Sequence, residues 1–125
     1  MRQWRISEAM EGGFITVVET PHFNSLANKH LTEAERQALA STLAHDATQG
    51  DRLVQGSGIR KLRFARGGRG KSGGIRVVYF YHSPRMPLFL LTLFAKNERD
   101  NLKPSEVRIL GEAAKALARR YGDRR

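Results

Sequence analysis

The sequence predicts an α+β domain in which a small antiparallel sheet, with element order β-α-α-β-β-β-α, is covered by helices. Three observations carry this reading. Residues 59–64, 75–81 and 88–95 are strand-patterned runs separated only by turn-forming segments, and consecutive strands joined in this way pair as meanders. Thr32-Glu33-Ala34-Glu35 is a capping box, with a hydroxyl suited to the third helical amide and a glutamate that reaches back to the cap amide. Pro104 suits a first helical position, and Val107, Leu110, Ala114, Leu117 and Tyr121 follow it at helical spacing on one apolar face.

In chain order, residues 1–13 show no evident structural pattern and read as an extension, with Met10 as an alternative start. Residues 14–125 read as a single domain. Residues 14–20 (FITVVET) form the first strand by β-propensity, stopped by Pro21, and residues 23–30 form a short helix. The helix opened by Thr32 runs to about residue 47, with Ala38, Leu39 and Leu43 as a narrow apolar stripe that suits packing on a sheet. Gln49-Gly50-Asp51 is a turn, and Gly56-Ser57-Gly58 leads into the next strand.

In residues 59–64, Leu62 and Phe64 point one way and Lys61 and Arg63 the other, as in a half-buried strand. Residues 75–81 are β-branched and aromatic, and the glycine- and cation-rich residues 67–74 between the two runs make the wide loop of a hairpin. Residues 82–87 hold two prolines and make a second turn, whereas residues 88–95 (LFLLTLFA) are apolar on both faces and mark the most buried strand. The closing arginines Arg119, Arg120, Arg124 and Arg125 complement the dipole of the last helix.

Charge is concentrated on the hairpin. Residues 57–81 hold seven cations (Arg60, Lys61, Arg63, Arg66, Arg69, Lys71 and Arg76), and no acid occurs between Asp51 and Glu98. The whole chain of 125 residues carries +10 (22 − 12) and has a pI of 10.9, which favours an anionic partner. There is no cysteine, so disulfides and thiolate metal sites are excluded, and His22, His30 and His45 lack metal-ligand spacing. The longest apolar run falls short of the ~20 residues that span a bilayer, and the N-terminus lacks a signal-peptide core. A cytoplasmic protein with no membrane partner is expected.

Ala65-Arg-Gly-Gly-Arg-Gly70-Lys71-Ser72 fits a relaxed phosphate-loop pattern, with alanine for the first glycine. That motif works when a helix leaves the loop and presents its N-terminus to the phosphates. Here the exit, Ile75-Arg76-Val77-Val78-Tyr79, is a strand, which sets nucleotide hydrolysis aside.

The segments G-S-G-I-R-K-L-R, G-K-S-G-G-I-R-V-V-Y and A-K-N-E together resemble the RelE/ParE superfamily of toxins from toxin–antitoxin pairs, and most nearly its HigB branch. The likeness extends from about residue 14 to residue 121. It implies the β-α-α-β-β-β-α RelE-like fold and a ribosome-dependent messenger RNA endonuclease that cuts the A-site codon. It also implies a cognate antitoxin, usually carrying a helix-turn-helix DNA-binding part, which holds the toxin inactive. The lysine and arginine of the family's hairpin match Lys61 and Arg76, with Arg63 beside them. An arginine expected after the last strand falls instead on Asn97, and a tyrosine expected near the C-terminus falls near Lys103.

RNA cleavage by its own 2′-OH needs no metal or other cofactor, but it needs groups that hold a doubly charged phosphorane and move two protons. Guanidinium forks suit the first task, which points to Arg76 and Arg63. A lysine crowded by cations gives up its proton more readily, which makes Lys61 the candidate base, with Lys71 and Lys96 as lesser ones. Arg60, Arg66, Arg69 and Lys71 read as RNA or ribosome contacts. Tyr81 reads as a stacking group or a packing residue. His82 reads as a turn residue. The alternative readings are a ParE-like inhibitor of DNA gyrase and a non-catalytic RNA- or ribosome-binding module.

Overall fold

Leu88–Ala95 is buried at every position, and the sheet is built around it. A computed structural model describes residues 3–7, 15–53, 58–65, 74–99 and 101–122. The elements are β1 (Arg5–Ser7), β2 (Val17–Glu19), α1 (Pro21–His30), α2 (Glu33–His45), β3 (Asp51–Arg52), β4 (Ile59–Phe64), β5 (Ile75–Phe80), β6 (Leu88–Ala95) and α3 (Pro104–Tyr121). They form one sheet in the order β1-β2-β6-β5-β4-β3, antiparallel except where β2 runs parallel to β6.

The α+β class and the β-α-α-β-β-β-α order hold, with β1 and β3 as two short additions. Residues 1–13 were expected to be a patternless extension, but Arg5, Ile6 and Ser7 pair with Glu19, Val18 and Val17 along the sheet edge. Three residues are too few to show strand periodicity. What fastens β1 is distant in sequence, because the Arg5 guanidinium donates to both Glu33 carboxylate oxygens at 2.8 and 2.6 Å. This fork, with further help from Gln37, holds the Glu33 carboxyl at about 2, well below its usual range.

The helix starts follow local chemistry. Thr20 caps α1 through Phe23 N–H, with Pro21 opening the helix. At α2 the capping box closes both ways: Glu35 N–H donates to the Thr32 hydroxyl at 3.1 Å, and Thr32 N–H donates to the Glu35 carboxylate at 2.9 Å. The buried face of α2 differs from the expected stripe. Ala38 is exposed, and Arg36, Leu39, Ala40, Leu43 and Ala44 are buried. Arg36 is admitted to the interior because Glu19 of β2 receives its guanidinium and Asn28 takes a further N–H at 2.7 Å.

Two cores lie on opposite faces of the sheet. Phe23, Ala27, Leu39 and Leu43 from α1 and α2 cover Val17, Ile75, Val77, Leu88, Leu90 and Leu93. Ala114, with Leu110 and Leu117 of α3 against it, covers Val18, Val78, Phe80, Phe89 and Phe94. Between Val78 and Tyr79 the β5–β6 register slips, so Leu91 is an extra residue and β6 bulges there. Among the described residues no helix is long and apolar enough to cross a membrane.

Candidate functional site

The β4–β5 hairpin sets the site through its register. Arg63 stands opposite Arg76, Lys61 opposite Val78, and Ile59 opposite Phe80. Strand residues alternate between faces. Val78, Phe80 and Ile59 lie under α3, so Lys61, Arg63 and Arg76 share that side of the sheet. Leu62, Phe64, Val77 and Tyr79 face α1 and α2. The expected outward placement of Lys61 and Arg63 is therefore met, and Arg76 joins them on one surface.

Two arginines directly opposed across antiparallel strands repel each other. Among the described residues no carboxylate pairs with Arg63 or Arg76. Arg63 is exposed and Arg76 half-buried, so both guanidiniums lie within reach of solvent. Asp51 of β3 stands opposite Lys61 in the register. The Lys61 ammonium nevertheless donates to Asn101 Oδ1 at 3.0 Å, and the same oxygen accepts Leu102 N–H at 2.9 Å. Asn101 thus ties Lys61 to the approach of α3, and sequence reasoning missed it. An asparagine shortly before a helix reads as a local cap, and nothing in the pattern connects it with a strand 40 residues earlier.

The remaining predicted residues separate. Lys96 is exposed just beyond β6, where its N–H donates to Gly74 O at 3.2 Å, which places it at the loop end of the hairpin near Arg76. Arg60 belongs to the opposite face, where its Nη1 donates to the Thr48 and Gly50 carbonyls at 3.0 and 2.8 Å and closes the turn between α2 and β3. Tyr81 is half-buried against the α1–α2 core. Arg66, Arg69 and Lys71 lie outside the described residues. His82 is exposed and its ring stacks against Phe80, in keeping with a turn position.

The sequence left Asn97 where a cation was expected. The structure places one two residues later: Arg99 lies 4.7 Å over the ring of Phe94, which is the strand neighbour of Arg76. Arg99 also donates to both Glu106 oxygens, at 2.7 and 2.9 Å. Glu106 in turn accepts Lys103 N–H at 2.7 Å. That backbone bond, and then the Arg99 side chain, hold the Glu106 carboxyl below its usual range. The start of α3 is thereby pinned beside the basic surface.

Beneath the hairpin, Tyr79 donates to Ala47 O at 2.7 Å and accepts Gly50 N–H at 3.0 Å. Burial pushes this phenol up, and it acts as an internal strut. A Cβ on Gly50 would meet the Tyr79 hydroxyl at 2.8 Å, so the turn approaches the ring as only glycine permits. Among the described residues no three His, Asp or Glu side chains gather where they could hold a metal ion.

The surface so assembled sets Arg63 and Arg76 opposite each other, with the tethered ammonium of Lys61 on the same face. Residues 15–123 match the family model described as RelE toxin of the RelE/RelB toxin–antitoxin system. That match takes in the hairpin, the central strand and α3, and the chain belongs to the RelE toxin family.

Proposed function

We propose that the protein is a HigB-like toxin that cleaves messenger RNA in the ribosomal A site and is neutralised by a cognate antitoxin with a helix-turn-helix part. The observation that carries this reading is the Arg63–Arg76 pair with Lys61 on the same face. In this mechanism Lys61 removes the proton of a ribose 2′-OH, and the freed oxygen attacks the adjacent phosphorus. Arg63 and Arg76 hold the non-bridging oxygens as the second negative charge develops, where a fixed fork of donors has most effect. The bond to the 5′ oxygen breaks, and Lys96 supplies its proton. A 2′,3′-cyclic phosphate and a 5′-OH remain. Asn101 is a positioning residue: it accepts an N–H of Lys61 Nζ and so leaves the lone pair of the neutral amine for the 2′-OH.

The basic loop, with Arg66, Arg69 and Lys71, supplies ribosomal RNA contacts, and the +10 charge draws the protein to its anionic target. The test is primer-extension mapping of a defined message with the purified protein, with and without translating ribosomes. Cuts that appear only with ribosomes, fall at A-site codons and vanish for Arg76→Ala are the expected result. Cuts on naked RNA would make it a free ribonuclease. Absence of cuts under both conditions would favour gyrase inhibition or simple RNA binding.

A further inference from the structure

Asp51 is the one acid among the residues of β3, β4 and β5, and it stands on the cationic face. Directly opposed residues of antiparallel strands share a face, so its pairing with Lys61 puts it on the side of Arg63 and Arg76. It is exposed and lies on the short edge strand. Its Cβ stands about 5 Å from that of Lys61, near enough for an ion pair. None forms. The Lys61 ammonium donates to Asn101 Oδ1 instead, and among the described residues no lysine or arginine pairs with Asp51.

A carboxylate left open on a phosphate-binding surface repels the group that its neighbours attract, so its place there points to a different part of the ligand. Neighbouring strands are about 4.8 Å apart and two residues along a strand span about 6.8 Å. Between backbone positions, Asp51 therefore lies roughly 8 Å from Arg63 and roughly 12 Å from Arg76. No single phosphate spans from the arginine pair to that carboxylate, but a nucleotide with its phosphate on the arginines has a base long enough to reach it. An ionised carboxylate only accepts hydrogen bonds, through two oxygens side by side. Among the bases of unpaired RNA, guanine alone offers two adjacent donors on its Watson–Crick edge, N1–H and N2–H. Adenine and cytosine present an amino group beside a ring-nitrogen acceptor, and uracil an N–H between two carbonyls. Each of these sets an acceptor against one carboxylate oxygen. The exposed edges of single-stranded bases are where RNA sequence is read.

We infer that Asp51 is a specificity-determining residue, whose carboxylate accepts N1–H and N2–H of a guanine adjoining the phosphate held by Arg63 and Arg76. The inference rests on the nuclease reading. It adds a substrate preference, for codons that place guanine beside the scissile phosphate.

The test is cleavage of a defined message on ribosomes stalled with a vacant A site, with guanine or inosine at each position of the A-site codon in turn. Inosine keeps N1–H and lacks the 2-amino group. At one codon position, wild-type protein should cut the guanine message at least about 10-fold faster than the inosine message. Asp51→Asn, which keeps the size of the side chain, should cut the two within about 2-fold of each other. Codons without guanine should be cut up to about 2-fold faster by this variant, the effect of removing a unit charge roughly 10 Å from a phosphate in water. A loss on guanine codons with a gain elsewhere is a signature that a merely structural role does not give, and thermal unfolding of the variant is followed alongside. Equal losses on every codon would place Asp51 in the chemistry or the frame and overturn the proposal. Equal cutting of guanine and inosine messages by the wild-type protein, a comparison that needs no variant, would overturn it as well and leave the nuclease reading standing. If wild-type protein cuts no codon at all, the nuclease reading falls and takes this inference with it.

Discussion

Replacing Arg76 by glutamine should make the sheet more stable while removing its chemistry. Arg63 and Arg76 are directly opposed in the register, which puts their Cβ atoms about 5 Å apart. At separations of about 5–8 Å in water-like surroundings, two unit charges repel by about 0.5–0.8 kcal/mol, a range that agrees with measured cross-strand effects. Relief of that repulsion should raise Tm by about 2–4 °C for a domain of this size. The gain should appear in low salt and shrink toward zero near 1 M, where the screening length is about 3 Å. Cleavage should meanwhile fall by about 10²–10³, the cost of removing one preorganised donor from a developing oxyanion. Calorimetry across a salt series, paired with primer extension, reads both quantities. A stability loss above about 1 kcal/mol would make Arg76 a structural residue. A salt-independent Tm change would likewise defeat the electrostatic account.

Other expectations concern the frame. Arg36→Ala leaves Glu19 buried without its main partner and should cost about 3–5 kcal/mol in denaturant unfolding, whereas Arg36→Met combined with Glu19→Gln should recover much of it. Tyr79→Phe leaves the Ala47 carbonyl and Gly50 N–H unmatched and should cost about 1–3 kcal/mol by the same measurement. Glu33 titrates at about 2 when folded and near 4.5 otherwise, so its contribution is present above that ordinary value and is lost as pH falls toward 2. Trp4, the single tryptophan, rests edge-on against Phe89 beside β1 and should report this loss as a red shift of its emission. Glu33→Gln should show the shift already at neutral pH and remain flat on acidification; superimposable titrations of variant and parent would rule the mechanism out.

What could be read in the sequence was what is encoded locally. The Thr32–Glu35 capping box lies within four residues, and the β4–β5 hairpin shows its alternation directly, so both appear where the pattern placed them. Leu88–Ala95 announced its burial by having no polar face to turn outward. Apart from Ala38, which the expected α2 stripe included and the structure exposes, the misses depend on long-range partners. Arg5 is fastened by Glu33, 28 residues away, and β1 has no other signal. Arg36 carries no signal in the sequence, and it is drawn into the interior by Glu19, 17 residues earlier. Arg60 shared the hairpin's charge run, yet strand alternation carried it to the other face, where carbonyls of the preceding turn took it up. At the site, composition identified the basic surface, but Asn101 and Arg99 enter it only because α3 folds back across β4 and β6.

The parallel pairing of β2 with β6 governs the order of assembly. Thr20 bonds the Leu90 carbonyl across 70 residues, so β2 cannot join the sheet until the chain has been made through β6. Closing so wide a loop comes late in folding, because its entropic cost precedes the contacts that reward it. Arg76 acquires Phe94 as a neighbour when β6 pairs with β5, and Arg99 over Phe94 only once the chain beyond β6 has been made. During synthesis, therefore, the hairpin can form while its charged surface is still without the wall supplied by β6 and α3. The complete basic surface is among the last things the nascent chain makes, so a newly made molecule passes an interval before that surface is whole.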